Sequence, residues 1–131
     1  MSDAGSILDK LLAHATTADP NYTTTRGIEL VSALNDEDFP HAFAFDAKVS
    51  ILRLPFFQEA VSGEYTVLLA TKGETQEQLL VRYDAYRALI QGDRTLTGEV
   101  DNAFVSSMEL LEDPRSTVKA AQIVISTDEF E

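Results

Sequence analysis

The stretch that decides the fold runs from Thr75 to Met108 and reads TQEQLLVRYDAYRALIQGDRTLTGEVDNAFVSSM. Apolar residues in its first half recur at helical spacing and form one wide stripe. They are Leu79, Leu80, Tyr83, Tyr86, Ala88, Leu89 and Ile90. Thr75 and Gln78 fit a capping box, and Gly92 fits the left-handed position that closes a helix. We therefore predict a helix over residues 74–91.

The residues after this helix predict a compact turn and a hairpin. In the segment 93–102, DRTLTGEVDN, we expect Leu96 and Val100 to fold back under the end of the helix. Residues 103–111 read as a strand with Phe104, Ser106, Met108 and Leu110 on one face. A turn at 112–115 leads to a return strand at 118–126.

Residues 64–71, before the helix, are apolar on both faces, which is typical of a central strand. The order strand, helix, strand predicts that 64–71 and 103–111 are parallel and joined by a right-handed crossover. Residues 61–64 contain a glycine and read as a turn.

The segment 41–46, HAFAFD, alternates cleanly and predicts another strand. Its aromatic side chains point to one face, whereas its small alanines point to the other. The alanine face predicts that another element packs closely against it. Residues 49–54 form a further alternating apolar run.

The N-terminal part predicts a first helix over residues 7–18, with Ser6 or Ser2 as its cap. Its apolar face comprises Ile7, Leu8, Leu11, Leu12 and Ala15. Residues 21–26 read as a polar connection. Periodicity does not separate strand from helical turn at 28–34, although we favour a strand. The acidic residues 35–38 lack the ligand pattern of a calcium loop and read as solvated.

Together these elements predict an α+β fold in a single domain over residues 1–131. It has a mixed sheet of about four to five strands packed against two helices. Residues 127–131 are expected to form an acidic flexible tail. The length of 131 residues fits one domain.

The composition excludes several function classes. With 22 acidic against 10 basic residues, the net charge of −12 repels phosphate backbones and argues against sequence-reading nucleic-acid binding. The absence of Cys excludes disulfides and thiolate metal sites. The N-terminus lacks a signal-peptide pattern, and no apolar run approaches the roughly 20 residues of a membrane helix. We expect a soluble protein with no membrane contact.

No catalytic motif is present: there is no phosphate loop, dinucleotide glycine motif, zinc-protease motif or nucleophile elbow. His14 and His41 lie far apart in the chain and make a weak metal site. Asp93 and Arg94 read as a helix-end cap and a surface ion pair. We therefore predict no enzyme activity, no metal and no cofactor.

The adjacent aromatics Phe56 and Phe57 follow Pro55 and cannot share one face of a strand. Either both find slots in the core, or this tip docks on another chain, since aromatics are enriched in interfaces. The interface candidates are Phe43, Phe45, Arg53, Leu54, Phe56, Phe57 and Phe130.

The region from the long helix to the last hairpin resembles long-tailed bacteriophage tail terminator proteins, also described as tail-to-head joining or tail completion proteins. Their pattern of a helix followed by D-x-x-L-x-G-x-V is matched by Asp93, Leu96, Gly98 and Val100. The similarity covers the second half of the chain, and the first half agrees only in element order.

That resemblance implies a virion structural protein, made in the host cytoplasm, that forms a ring, commonly a hexamer. The ring caps the tail tube, stops its growth and joins the head-completion or connector protein. DNA passes through the lumen without specific binding, and no catalysis or cofactor is expected. Two alternatives remain: another phage neck or head-completion component, or a non-viral binding module that shares only the fold.

Overall fold

The computed structural model describes residues 4–27, 38–53, 59–113 and 117–130. Two helices and five strands occur in these ranges. Their bounds are α1 Ala4–Ala18, β1 Thr23–Arg26, β2 His41–Arg53, β3 Glu59–Lys72, α2 Gln76–Gly92, β4 Asn102–Asp113 and β5 Val118–Phe130. Within them, no helix is long and apolar enough to cross a membrane.

The strands form one mixed sheet in the order β1-β2-β3-β5-β4. β1 runs parallel to β2, and the other neighbouring pairs are antiparallel. The predicted α+β fold, a mixed sheet packed against two helices, is confirmed. β3 and β4 run in the same direction, as expected, but they are not neighbours because β5 returns between them.

The main core lies between the helices and one face of the sheet. α1 buries Ile7, Leu11, Leu12 and Ala15, and α2 buries Leu79, Tyr86 and Ile90. Ala42 and Ala44 of β2 belong to this core, where α1 packs against the strand. The small alanine side chains let the helix approach closely, as the alternation in 41–46 predicted.

A second apolar cluster lies on the opposite face of the sheet. Phe43, Leu68, Ala70 and Ala120 are buried in it, and the half-buried Phe39 and Phe45 pack against them. The ring of Phe43 stacks on that of His41, with centroids 4.2 Å apart. β3 is therefore covered on both faces, which confirms that it is a central strand.

The capping box of α2 is confirmed, but the glycine at its other end behaves differently from expectation. Thr75 Oγ1 accepts from the N–H of Gln78 at 3.2 Å, and Gln78 Oε1 accepts from the N–H of Thr75 at 2.8 Å. Gly92 is the last helical residue, and the C-cap is Asp93 at φ −136°. The Asp93 N–H closes the final turn on the Ile90 carbonyl, so no left-handed residue is needed there.

Helix α1 begins at Ala4, three residues earlier than predicted. Ser6 therefore lies in its first turn and is not the cap, while Ser2 lies outside the described residues. The predictions for residues 28–34, 54–57 and 114–115, and for most of the acidic stretch 35–38, also lie outside them.

Two segments predicted as connections are strands. The Thr-rich segment 21–26 contains β1, which pairs with β2 from Thr23↔His41 to Arg26↔Ala44. The predicted turn at 61–64 lies inside β3. Hydrogen bonding to neighbouring strands makes these residues extended, although their sequence alone favours a connection or a turn.

Gly63 is required by close packing in β3 and not by a turn. A Cβ atom there would lie 2.7 Å from Thr127 Oγ1 and 2.7 Å from Tyr65 Cε2. We expect Gly63→Ala to lower the free energy of unfolding by about 1–3 kcal/mol through overpacking. Urea denaturation measures this, with Gly92→Ala as the control, since a Cβ at Gly92 meets nothing within 4 Å. Equal stability of Gly63→Ala and wild type would contradict the packing role.

The expected flexible tail at 127–131 is wrong for its described part, because β5 continues to Phe130. Pairing on both sides holds it, with Phe130 opposite Ala60 of β3 and Asp128 opposite Asn102 of β4. The Phe130 N–H also donates to Asp101 Oδ2 at 2.6 Å. The acidic residues sit in a strand because the neighbouring backbones satisfy their peptide groups.

A β-bulge changes the face assignment in β4. Val105 pairs with Ile125 and Ser107 with Val124, so Ser106 is the extra residue. Met108 therefore packs against the main core, whereas Phe104 is exposed on the opposite face. The predicted common face of Phe104, Ser106, Met108 and Leu110 is wrong for this reason.

Candidate interaction surface

The D-x-x-L-x-G-x-V segment forms a tight turn that Asp93 holds in place. The Asp93 carboxylate accepts from the Thr97 N–H at 2.8 Å and from the Thr97 hydroxyl at 3.1 Å. Its Oδ2 also lies 2.9 Å from His14 Nε2 of α1. Asp93 thus pairs with His14 across the two helices, whereas the predicted ion pair with Arg94 is absent among the described contacts.

Three successive residues of this turn have left-handed backbones: Leu96 at φ 48°, Thr97 at 59° and Gly98 at 89°. Such a conformation is costly for residues with a Cβ. The cost is offset because Leu96 and Val100 are buried under the end of α2, as predicted. The motif residues are therefore scaffold, and they do not form an exposed binding surface.

The turn makes stability depend on pH. Partial burial acts to raise the pKa of Asp93, but the hydrogen bonds from Thr97 and His14 outweigh it, so the pKa is lowered. A lowered folded-state pKa contributes stability above the unfolded value, near 4, and that stability is lost as pH falls through the folded value.

We expect Asp93→Ala to lower the free energy of unfolding by about 1–2 kcal/mol at pH 7. The difference from wild type should shrink as the pH is lowered toward about 3, because the wild-type carboxylate is then protonated. Urea denaturation across pH measures this. Asp93→Asn keeps an acceptor oxygen and should cost less, and a difference from wild type that stays constant with pH would refute the role of the charge.

Arg82 ties the end of α1 to the start of α2 through two carboxylates. Its guanidinium donates to both oxygens of Glu74, at 2.8 Å from Nε and from Nη2, and Nη1 donates to Asp19 at 2.8 Å. The N–H of Asn21 and the Arg82 guanidinium hold the pKa of Asp19 below its usual value. The guanidinium also lies 5.3 Å from the centre of the Tyr22 ring. The charges of Arg82, Glu74 and Asp19 therefore pair with one another within the subunit.

Several exposed apolar side chains lie on a two-stranded arm, which we define as residues 47–53 of β2 and 59–64 of β3. Val49, Ile51 and Leu52 are 42 %, 54 % and 62 % exposed, and Phe130 beside the arm is 65 % exposed. Aliphatic side chains of this size seldom cluster in water unless another surface covers them.

The end of the arm carries exposed apolar residues on both faces of the sheet, whereas Lys48, Ser50, Ser62 and Glu64 make the rest of the outer face polar. Leu52 pairs with Ala60, which pairs with Phe130, so these three form a row on the face away from the helices. Val49 and Ile51 pair with Gly63 and Val61 on the helix-side face. An arm whose end is apolar on both sides is suited to contact with another chain.

The predicted interface residues do not form one surface: some are exposed, some are buried, and some lie outside the described residues. Arg53 is exposed at the end of β2, with Nε 3.7 Å from Glu59 Oε1, and Phe130 is exposed in the row beside it. Phe43 is fully buried in the second cluster, so it offers no docking surface on this subunit. Phe45 is half-buried there, which leaves it little free surface. Leu54, Phe56 and Phe57 lie outside the described residues.

Sequence reasoning did not single out Val49, Ile51 and Leu52 as exposed apolar residues. The signal was an apolar run with a two-residue period, which predicts a strand but not which of its faces is covered. The exposure follows from where α1 and α2 lie along the sheet, and this is a tertiary property.

No group of three or more His, Asp or Glu side chains that would hold a metal ion occurs in the described ranges. His14 and His41 are used structurally: His41 is buried, with Nε2 2.7 Å from Thr25 Oγ1.

Comparisons with known proteins show a likeness of fold. No family model matches the sequence, and no curated protein matches it. A solved structure titled "Virion of native gene transfer agent (GTA) particle" contains a chain with TM-score 0.59 and 5 % identity. The match covers 98 % of this chain and 97 % of that chain. At this identity the likeness shows the fold alone.

Proposed function

We propose that this protein is a structural subunit of a phage-like virion, and specifically a tail terminator. The observation that carries the proposal is the likeness of the whole chain to a chain of a gene transfer agent virion, with nearly complete coverage of both. The D-x-x-L-x-G-x-V turn supports the finer role, since this segment resembles the terminator family.

Subunit assembly would rest on the arm. Each copy presents Val49, Ile51, Leu52 and Phe130 as exposed apolar surface at one end of the sheet. When this surface docks on a different surface of the next copy, the contact is heterologous and closes into a ring if the rotation allows. Burial of the apolar side chains drives the association.

The ring would cap the tail tube and stop its growth by occupying the surface on which the next tube subunit adds. No chemical step is required. A net charge of −12 supports the passage of DNA through the ring without adhesion, because like charges repel the phosphate backbone.

The test combines structure and activity. Electron microscopy and native mass spectrometry of the purified protein should show a ring with a central hole, expected to have six-fold symmetry. Added to the tail tube protein of the same virion while it polymerises, the ring should bind tube ends and halt growth. Rings that bind the head connector but leave tube growth unchanged would favour another neck protein. A chain that stays monomeric and ignores tubes would refute both roles.

A further inference from the structure

An open cleft lies between the C-terminal end of α2 and the start of β4. Its volume is about 310 Å³, and its lining includes Arg87, Gln91, Arg94 and residues 102–105. Arg87 and Gln91 are one helical turn apart and therefore share a face of α2. Arg94 follows the C-cap, and the start of β4 forms the opposite wall.

The two arginines of this cleft differ from the other described arginines. Arg26, Arg53 and Arg82 each form an ion pair within the chain. Arg87 and Arg94 are exposed and have no ion-pair partner among the described residues. In a chain with 22 acidic residues against 10 basic ones, two unpaired arginines in one cleft are an unusual concentration of positive charge.

The wall opposite α2 offers backbone groups as well. β4 is an edge strand that pairs with β5 on one side only, so its other edge is open within the described part of the chain. An open edge accepts an added strand through main-chain hydrogen bonds, and side chains beside it then set specificity. The amides of Gln91 and Asn102 supply further donors next to the arginines.

We propose that this cleft binds the carboxylates of an extended acidic segment from a second copy of this chain. Arg87 and Arg94 would each pair with a carboxylate, which the planar guanidinium can bind through two hydrogen bonds. The carboxylate site rests on the proposed function, because the second copy is the next subunit of the ring.

Charge complementarity selects the occupant. A second copy carries the same acidic excess and so presents carboxylates to a cleft with two free cations. A nucleic acid would offer phosphates to the same arginines, and the DNA duplex in the second experiment tests that alternative. The sheet order agrees, since β4 lies at the edge opposite β1 and β2, so different surfaces can meet in a head-to-tail contact.

The first experiment measures self-association by sedimentation equilibrium for Arg87→Gln with Arg94→Gln. We expect association at least about tenfold weaker than that of the wild type. The matched control is Lys10→Gln with Arg26→Gln, which removes the same positive charge from α1 and from β1 at the opposite edge of the sheet. The control should associate within about twofold of wild type, since exposed pairs contribute little. Equal losses in both variants would overturn the cleft as the site.

The second experiment titrates the dilute wild-type protein with acetylated tetraglutamate and follows backbone amides by NMR. Shifts should be confined to residues 87–105 and should disappear in the double arginine variant. A short DNA duplex that binds there more tightly than the peptide would overturn the carboxylate assignment. If the wild type does not assemble at all, the ring and the second copy as occupant are both refuted. The titration then still shows whether the cleft binds carboxylates.

Discussion

Ile51→Asp combined with Leu52→Asp is expected to convert the ring into folded monomers. The two side chains are more than half exposed on opposite faces of the arm, so the substitution places a charge on each face. Full burial of one such side chain contributes about 1.5–3 kcal/mol, and a buried unpaired carboxylate adds a desolvation penalty. The two changes together should weaken association by more than about a hundredfold. Native mass spectrometry measures the loss of the ring.

The subunit should stay folded, since exposed positions tolerate substitution with small changes in stability. Thermal unfolding followed by circular dichroism checks this. Val81→Asp is the matched control, because Val81 is an exposed aliphatic residue on α2, away from the arm. Rings that survive the double aspartate variant would exclude the arm as the interface, and loss of the ring in Val81→Asp alone would move the apolar contact to the Val81 face of α2.

Tyr86→Ala is expected to lower the free energy of unfolding by about 3–5 kcal/mol. Tyr86 has no exposed surface, and its hydroxyl donates to the Leu11 carbonyl at 2.9 Å. This contact joins α2 to α1 above the sheet. Burial raises the pKa of Tyr86, so the hydroxyl stays protonated and remains a donor at ordinary pH.

Because a domain of this size has a total stability of about 5–15 kcal/mol, Tyr86→Ala should leave little margin at 37 °C. Tyr86→Phe keeps the ring and removes only the hydrogen bond, so it should cost about 1 kcal/mol. Tyr83→Ala, at a half-buried position on the same helix, should cost less than Tyr86→Ala. Urea denaturation measures all three variants, and equal losses for Tyr83→Ala and Tyr86→Ala would contradict the core role of Tyr86.

The elements that sequence predicted well are those in which local chemistry and burial agree. Helix α2 has the predicted capping box, and Leu79, Tyr86 and Ile90 of the predicted stripe are buried, although Ala88 is exposed. Leu96 and Val100 were correctly expected beneath its end. The alternation of β2 around Ala44 correctly indicated close packing on one face. In these cases a local pattern is sufficient because the same residues determine the element and its packing.

The failures have a common origin in pairing between distant residues. β1 has no apolar pattern and is a strand because β2 lies beside it. Gly63 resembles a turn residue, although close approach of Tyr65 and Thr127 explains it. Phe130 was assigned to a loose tail, but β3 holds it in register. Apart from Tyr65, these partners lie outside a short window of sequence.

The candidate interaction surface was predicted only in part. The predicted aromatic tip, Phe56 and Phe57, lies outside the described residues, whereas Arg53 and Phe130 are exposed. Aromatic content also selected Phe43, which is buried within the subunit. Hydrophobicity alone does not separate a core side chain from an interface side chain, because burial of apolar surface favours both folding and association.

The position of β5 between β3 and β4 determines the order in which the sheet is completed. β2 with β3, and β4 with β5, are hairpins of neighbouring segments, and the pairing of β3 with β5 joins them. Joining must close a loop that contains α2, so we expect it to follow the formation of either hairpin. Until then β3 presents a bare, apolar edge during synthesis, when contact with other nascent chains is most hazardous. Prompt arrival of the second hairpin therefore protects the subunit before it meets its neighbours.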